Sequence, residues 1–436
     1  MVLNNADIRV SRIKTERFKT EFSNGSPEPC GTETSASLLS SVRRNVMATF
    51  LPVGYPESIS KNYSGFISWQ AVHHLAGSAN SSLASAFMLY SAGMGSAAAL
   101  PTAGAINWLL KDGIGQVGTL LFARFMARDF DASTRLWYIL ASLKLNAAIG
   151  MEVATFVLPP CYFLPLASAA NGLKGLAWMA GGATRSSFNV SFAQRGNIAD
   201  ITAKATSQTI FVSLLGTWVG LGLAAYIQQQ VALAGAVCAS FSILHIYSSY
   251  KSARNAPLRS LNPSRVKQLA QHLAQSKLAP LTPEDCSVLD DILTDPTDIF
   301  YPIYDVSISD LSSRHSEYLK LAMGLFQKKR YIIVPRASQQ PLVLLHRQAT
   351  ASDIIEAALT ISFLGKDRDM YNKILDDIES ISPLAEERKD EILHWLAQSM
   401  DQAKGVVDKG LMPRLEKAGW DLASYVCSSN SRAAYW

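Results

Sequence analysis

Ionised side chains are missing from two long stretches of this sequence. No Asp, Glu, Lys or Arg occurs from residue 62 to 110, and none from 205 to 250. A membrane-spanning helix needs roughly 20 apolar residues, so each stretch has room for two spans, or for one span and a half-buried element. A Lys or Arg at mid-helix costs about 2.5–3.5 kcal/mol on insertion scales, so leaving out every charge is a sizeable effect. Paired cysteines are missing too. Cys30, Cys161, Cys238, Cys286 and Cys427 are far apart, odd in number and never in a CxxC pair. That excludes a disulfide framework and a structural zinc site, and fits a reducing compartment. No concentrated basic stripe accompanies the net charge of +5. The densest basic run, Lys328-Lys329-Arg330, reads as a solvated helix end, because nucleic-acid binding takes many phosphate contacts. Nor does a secretory signal open the chain. Residues 1–48 are polar and intersperse basic residues with Asp7, Glu16 and Glu21; they read as a disordered segment, and the acids argue against a transit peptide.

The second charge-free stretch has a clear layout. Residues 209–227 and 231–247 are apolar and flank Gln228, Gln229 and Gln230, which predicts a helical hairpin with a polar turn. Lys204 and Lys251 close it, so both ends belong on the same face of a membrane. Gly216 and Gly220 form a GxxxG pattern, which lets helix backbones approach closely in lipid. Between the two stretches, residues 134–158 are apolar but carry Lys144 and Glu152, and residues 166–180 carry Lys174. In a bilayer such charges should face the bundle interior or reach to an interface. The expected fold is therefore mainly α over 49–252, an apolar helical bundle embedded in a membrane, followed by a smaller soluble α+β domain over 253–436.

Local signals support the second domain. Thr282-Pro-Glu-Asp is a helix start, and residues 309–327 are amphipathic. Tyr331-Ile-Ile-Val334 and Leu342-Val-Leu-Leu345 predict an antiparallel pair across a Pro-bounded loop. Thr350 with Asp353 predicts a capping box, a long charged helix spans 383–408, and short strands are expected near the end of the chain.

Motifs with catalytic overtones fail on context. Gly113, Gly115 and Gly118 match GxGxxG, but a helical run precedes them where a dinucleotide fold needs a strand. His73 and His74 are adjacent, so on a helix they point about 100° apart and cannot share a metal as an i, i+4 pair does; they read as a polar pair in a helical interface. No catalytic residue, cofactor or metal site is expected. The stretch from Arg185 to Lys204 is the best ligand or partner contact. Arg185, Asn197, Asp200 and Lys204 lie beside apolar helices there, and Asp200 and Lys204 are spaced to pair on one helix face. Asp112, beside Lys111, joins them as a candidate.

These residues resemble the root UVB-sensitive family. The similarity runs through Leu51-Pro-Val-Gly-Tyr-Pro56, Tyr63, Trp69, Trp108-Leu-Leu-Lys-Asp-Gly113, Ala180-Gly-Gly-Ala-Thr-Arg185, Asn197-Ile-Ala-Asp200 and Ala203-Lys204. It continues through Tyr331-Ile-Ile-Val334, Leu344-Leu-His346, Gly419-Trp420-Asp421 and Trp436. The resemblance implies a plant-type protein of ultraviolet-B and light responses and early development, tied to vitamin B6 homeostasis and acting in complexes with paralogues; plastid residence is a further implication. Two readings follow: a non-enzymatic membrane-associated complex partner, and a binder or carrier of a small anionic metabolite such as a B6 vitamer.

Overall fold

The computed structural model describes residues 45–91, 101–126, 130, 133–228, 230–275, 279–289, 313–334, 341–366, 369, 371–372 and 386–425. The expected disorder of the first 44 residues, and any strand beyond residue 425, lie outside these. The chain divides into two units, 1–48 and 49–436; of the first, only residues 45–48 are described, and they are helical.

Six long helices follow. They are α1 Tyr63–Ser91, α2 Pro101–Met126, α3 Thr134–Val157, α4 Phe163–Phe192, α5 Ile198–Ile227 and α6 Val231–Asn255. Pro159 and Pro160 separate α3 from α4 through a single 3-10 turn, as expected of residues that cannot donate a backbone N–H. Three of the six, α3, α5 and α6, are long and apolar enough to cross a membrane.

The predicted helical hairpin needs a correction. Residues 198–227 and 231–255 are both helical around the glutamines, and Gln228 makes the turn with φ +53. Yet the two arms scarcely touch one another. Each packs instead along α1. The cause is the glycine pair. A Cβ on Gly216 would stand 2.5 Å from the Leu75 carbonyl oxygen, and one on Gly220 2.3 Å from that of Ala79. Ser78 and Ser82 supply the matching small side chains on α1, so the two backbones meet and α1 separates α5 from α6.

The first charge-free stretch thus has a different meaning from the second. Its helix α1 is not among the three apolar spans. It packs against α3, α5 and α6 and buries Gln70, His73 and Asn80. Its surroundings are protein, and polar groups are tolerated there because neighbouring helices bond them. By contrast α5 buries only Ile201 and Ala205 near its start and a stripe through Gly216, Gly220, Ala224 and Ile227. Ile210, Trp218 and Tyr226 on its other faces are 64%, 67% and 78% exposed. Ile243 on α6 and Leu109, Val117 and Leu120 on α2 are exposed as well. At one end of the bundle an aromatic core closes the helices: Phe66 and Tyr63 of α1 pack edge-on or tilted against Phe188 and Phe192 of α4.

Residues past α6 form the second core. Its elements are β1 Ser260–Leu261, α7 Pro263–Ala274, α8 Pro283–Leu289, α9 Ser313–Phe326, β2 Tyr331–Val334, β3 Leu342–Leu345, α10 Ala351–Leu364, α11 Glu386–Asp408, α12 Leu411–Lys417 and β4 Asp421–Tyr425. Strands β2 and β3 pair antiparallel, Tyr331 opposite Leu345, over the residues read from sequence. The capping box of Thr350 and Asp353 opens α10. That helix is apolar nearly all round and packs against α7, α11 and β2. Strands β1 and β4 pair in parallel across a long sequence separation, and the Trp420 indole N–H donates to the Leu281 carbonyl at 2.7 Å.

Two buried phenols give this region a testable signature. Burial pushes the Tyr318 and Tyr331 hydroxyls well above their usual range, with Glu356 adding to the effect at Tyr331. Both remain neutral in the fold, while in an unfolded chain they ionise near pH 10. Unfolding therefore releases protons above that pH, and stability present below it falls as pH rises. Absorbance of tyrosinate during alkaline titration should reveal a class of phenols that ionise only as the protein unfolds. Tyr331→Phe should remove one phenol from that class; smooth titration of every tyrosine near pH 10 in the folded protein would contradict the assignment.

Candidate functional site

Polar residues run along one face of α1 at helical spacing: Gln70, His73, His74, Ser78 and Ser81. Each of their neighbours is placed by a packed helix. The Gln70 amide donates to the Tyr138 hydroxyl of α3 at 2.9 Å and to Ser252 of α6 at 3.0 Å. His73 stacks on His245 of α6, ring centroids 4.0 Å apart, and Nδ1 of His245 stands 2.8 Å from the Asn146 amide nitrogen. A Cβ at Gly77 would meet the His245 ring at 2.7 Å, so glycine there makes room for the imidazole. The adjacent histidines do lie in a helical interface, and among the described residues no group of three metal-ligating side chains forms.

The polar face opens on a cavity of about 420 Å³, with Tyr138 and Ser142 of α3, Trp178 and Arg185 of α4, and Thr209 and Ser213 of α5 among its walls. Arg185 donates to the Ala205 carbonyl at 3.1 Å and to the Thr209 hydroxyl. Among the described residues no carboxylate pairs with it. Two further atoms of the lining, Oε1 of Gln70 and Nε2 of His74, are buried with no hydrogen-bond partner. An unmet buried polar atom costs about 1–3 kcal/mol, a cost that water or a polar guest in the cavity would relieve. One guanidinium and several neutral donors and acceptors, with an aromatic edge at Trp178, suit a small polar anion.

Below the cavity lies a buried ion pair. Nζ of Lys174 on α4 is 2.6 Å from Oε2 of Glu152 on α3, with both side chains under 8% exposed. Lys174 also approaches the hydroxyl of Ser81, a lining residue, at 3.4 Å. Lys144 behaves differently, its ammonium lying 4.7 Å over the Trp137 ring. Of the two fates expected for charges in these helices, Lys174 and Glu152 take the interior pairing.

Of the five residues singled out from sequence, Arg185 alone lines the cavity. Asn197 donates to the Ser58 carbonyl at 3.2 Å, and Asp200 accepts the Val53 N–H at 2.7 Å. Both tie the Leu51–Ser60 segment to the start of α5. Lys204 is half-buried one turn further on, and Asp112 pairs with Lys111 on α2. The glycines of the GxGxxG match lie inside α2. Gly115 makes close contact with Asn171 and Gly172 of α4, so helix packing accounts for it. Gln70 and Ser81 were not among the residues expected from sequence, although the i, i+3, i+4 spacing of polar residues inside a stretch devoid of charge was their signal; Tyr138 lies outside both such stretches.

Residues 36–277 match the vitamin B6 photo-protection and homoeostasis domain. The chain belongs to this family. The matched region takes in the whole bundle and its cavity. Among curated relatives, protein root UVB sensitive 2, chloroplastic, of Arabidopsis thaliana is 28% identical over 329 residues, covering 74% of this chain and 73% of that protein. Protein root UVB sensitive 3 of the same plant is 24% identical over 404 residues, 88% of each. RUS family member 1 of Dictyostelium discoideum is 28% identical over 246 residues, and the match spans 47% of its length. No solved structure matches the chain.

Proposed function

We propose that this family member is a membrane-embedded, non-enzymatic protein that binds a small organic anion inside its helical bundle, and that the anion is a phosphorylated B6 vitamer. The observation that carries the reading is the cavity wall: Arg185, with no carboxylate partner among the described residues, beside the unmet Gln70 and His74 atoms. The family's description supplies the metabolite class. The bare apolar faces of α2, α5 and α6 support the membrane setting, because contiguous patches of this kind are rare on soluble monomers. Plastid residence rests on one relative's printed name. A role in ultraviolet-B responses follows from the relatives' names in the same way.

The test is equilibrium binding to the full chain purified in detergent. Pyridoxine 5′-phosphate should bind at least 10-fold more tightly than pyridoxine, because a hydrogen bond to a charged group contributes about 1.5–3 kcal/mol. Equal affinity for the two, or none for either, would remove the proposal. The membrane setting has its own check: the protein should sediment with membranes and leave them only with detergent.

Assembly with paralogues is a second reading, favoured by the row of Phe211, Leu214, Trp218 and Leu221 exposed along α5. Crosslinking a cysteine at position 218 to a co-expressed paralogue in membranes would support it, and crosslinking to no protein would count against it.

A further inference from the structure

We propose that the cavity opens sideways into the bilayer between α4 and α5 and receives a phosphomonoester lipid of the phosphatidate kind, its head group at Arg185 and its acyl chains in the membrane. The inference rests on the membrane setting and the anion seat proposed above, and adds a ligand that arrives from the leaflet instead of from water.

The cavity is closed at both ends along the helices. Phe188 stands one turn past Arg185 on α4, and Phe66 one turn before Gln70 on α1. They join Tyr138 of α3, Phe192 and Ile201 in one buried cluster. A close-packed aromatic layer of this kind leaves no passage for a phosphate ester. At the other end the ammonium of Lys174 holds Glu152 at 2.6 Å and reaches the lining hydroxyl of Ser81. Helices α1 and α3 form the inner walls, with the ring of His245 from α6 behind them. The flank that remains, among the described residues, lies between α4 and α5. These two helices meet only slightly, since α4 packs along α2 and α3, and α5 along α1. Trp178, a lining residue of α4, is 63% exposed. Gly182, also in the lining, is exposed, and a Cβ there would have nothing within 4 Å. On α5, Ile210 and Leu214 are exposed beside the lining residues Thr209 and Ser213.

The depth of Arg185 selects the ligand. It donates to the Ala205 carbonyl, and Ala205 begins the charge-free stretch directly after Lys204. The guanidinium therefore sits where α5 passes from ionised to apolar sequence, which in a bilayer is the head-group boundary. A lipid phosphate lies at that level, and arginine suits phosphate. Trp178 is seven residues and about 10 Å deeper along α4, at the level of the acyl chains. A cavity of about 420 Å³ takes a phosphate and its glycerol but not two acyl chains, so the chains run out past Trp178, Ile210 and Leu214. His74 and Ser78 of α1 are half-buried in the lining. Hydrocarbon cannot satisfy their polar atoms, whereas a head group can.

The experiment measures quenching of Trp178 in the full chain, reconstituted into phosphatidylcholine vesicles. The vesicles carry a small fraction of lipid with brominated acyl chains, which quench indole at close range. Brominated phosphatidate is the probe, and phosphatidylcholine with the same brominated chains is the reference. Subtracting the signal of Trp178→Phe isolates this residue from the other tryptophans. Charge-assisted bonding of the head group predicts that phosphatidate quenches Trp178 at about one-tenth of the reference concentration or less. Arg185→Ala should erase that difference. Should this variant fail to reconstitute, Arg185→Lys takes its place and should reduce the difference. Pyridoxine 5′-phosphate added to the vesicles should relieve the selective quenching, as expected of two phosphates sharing one seat. Equal quenching by the two brominated lipids would overturn the lipid site and leave the vitamer reading to its own binding test. No quenching of Trp178 by either lipid, even as the bulk component, would overturn the sideways opening itself. Selective quenching by phosphatidate without any binding of pyridoxine 5′-phosphate in detergent would support the lipid site and remove the vitamer reading alone.

Discussion

Replacing Gly220 with alanine is expected to destabilise the detergent-solubilised protein by about 1–3 kcal/mol, the range for overpacking a tight interface. The new methyl would lie 2.3 Å from the Ala79 carbonyl oxygen and 2.9 Å from the Ser82 Cβ. The first of these is backbone and cannot rotate away, so α5 must lift off α1. Gly216→Ala repeats the effect one turn earlier, 2.5 Å from the Leu75 carbonyl, and the double variant should be worse than either single one. Gly222→Ala is the control. Nothing lies within 4 Å of that position, and alanine's helix propensity should make the change neutral or stabilising by up to about 1 kcal/mol. Thermal unfolding in one detergent decides: if Gly220→Ala melts together with Gly222→Ala, the close approach of α1 and α5 is wrong. Because Ser78 of α1 and Thr209 and Ser213 of α5 all line the cavity, the glycine variants should also lose ligand affinity.

Arg185→Ala is expected to weaken binding of pyridoxine 5′-phosphate by roughly 10- to 150-fold, equivalent to about 1.5–3 kcal/mol for a hydrogen bond to a charged group. The binding of unphosphorylated pyridoxine should hardly change. Stability should change little, because the groups Arg185 touches have another bond: Thr209 donates its hydroxyl to the Ala205 carbonyl at 2.8 Å. Arg185→Lys keeps the charge but loses the planar fork, so it should fall between the two. Loss of affinity for both compounds alike would assign Arg185 to the shape of the cavity rather than to recognition of the phosphate.

The two halves of the chain differed in how much of their structure could be read from sequence. Strands β2 and β3 are short apolar runs bounded by proline, a local pattern that their environment did not override, and their residues came out as read. The start of α10 was equally local, set by Thr350 and Asp353. The arrangement of the bundle was not local. Absence of charge reports that water is absent, and both lipid and protein can displace water. Hence α1, surrounded by other helices, and α5, largely bare, looked alike. The partner of the GxxxG face was likewise hidden, since small residues at 78, 79 and 82 of α1 resemble many other small residues in the same stretch. Within the site, Arg185 stood out because charge is rare beside such helices. Gln70 and Tyr138 did not, because they matter through being brought together from α1 and α3. Asn197 and Asp200 looked functional by the same logic as Arg185, but their bonds to Ser58 and Val53 give them a mechanical task.

Pairing of β1 with β4 has a consequence for how the molecule is made. Ser260 leaves the ribosome early, yet its partner Asp421 is added some 160 residues later. At about 5–20 residues per second, that delay is on the order of ten to thirty seconds. Throughout it, the completed bundle trails a segment whose edge is unmet. A nascent chain in that interval offers a site for chaperone capture, and stalling translation before residue 421 should prolong it.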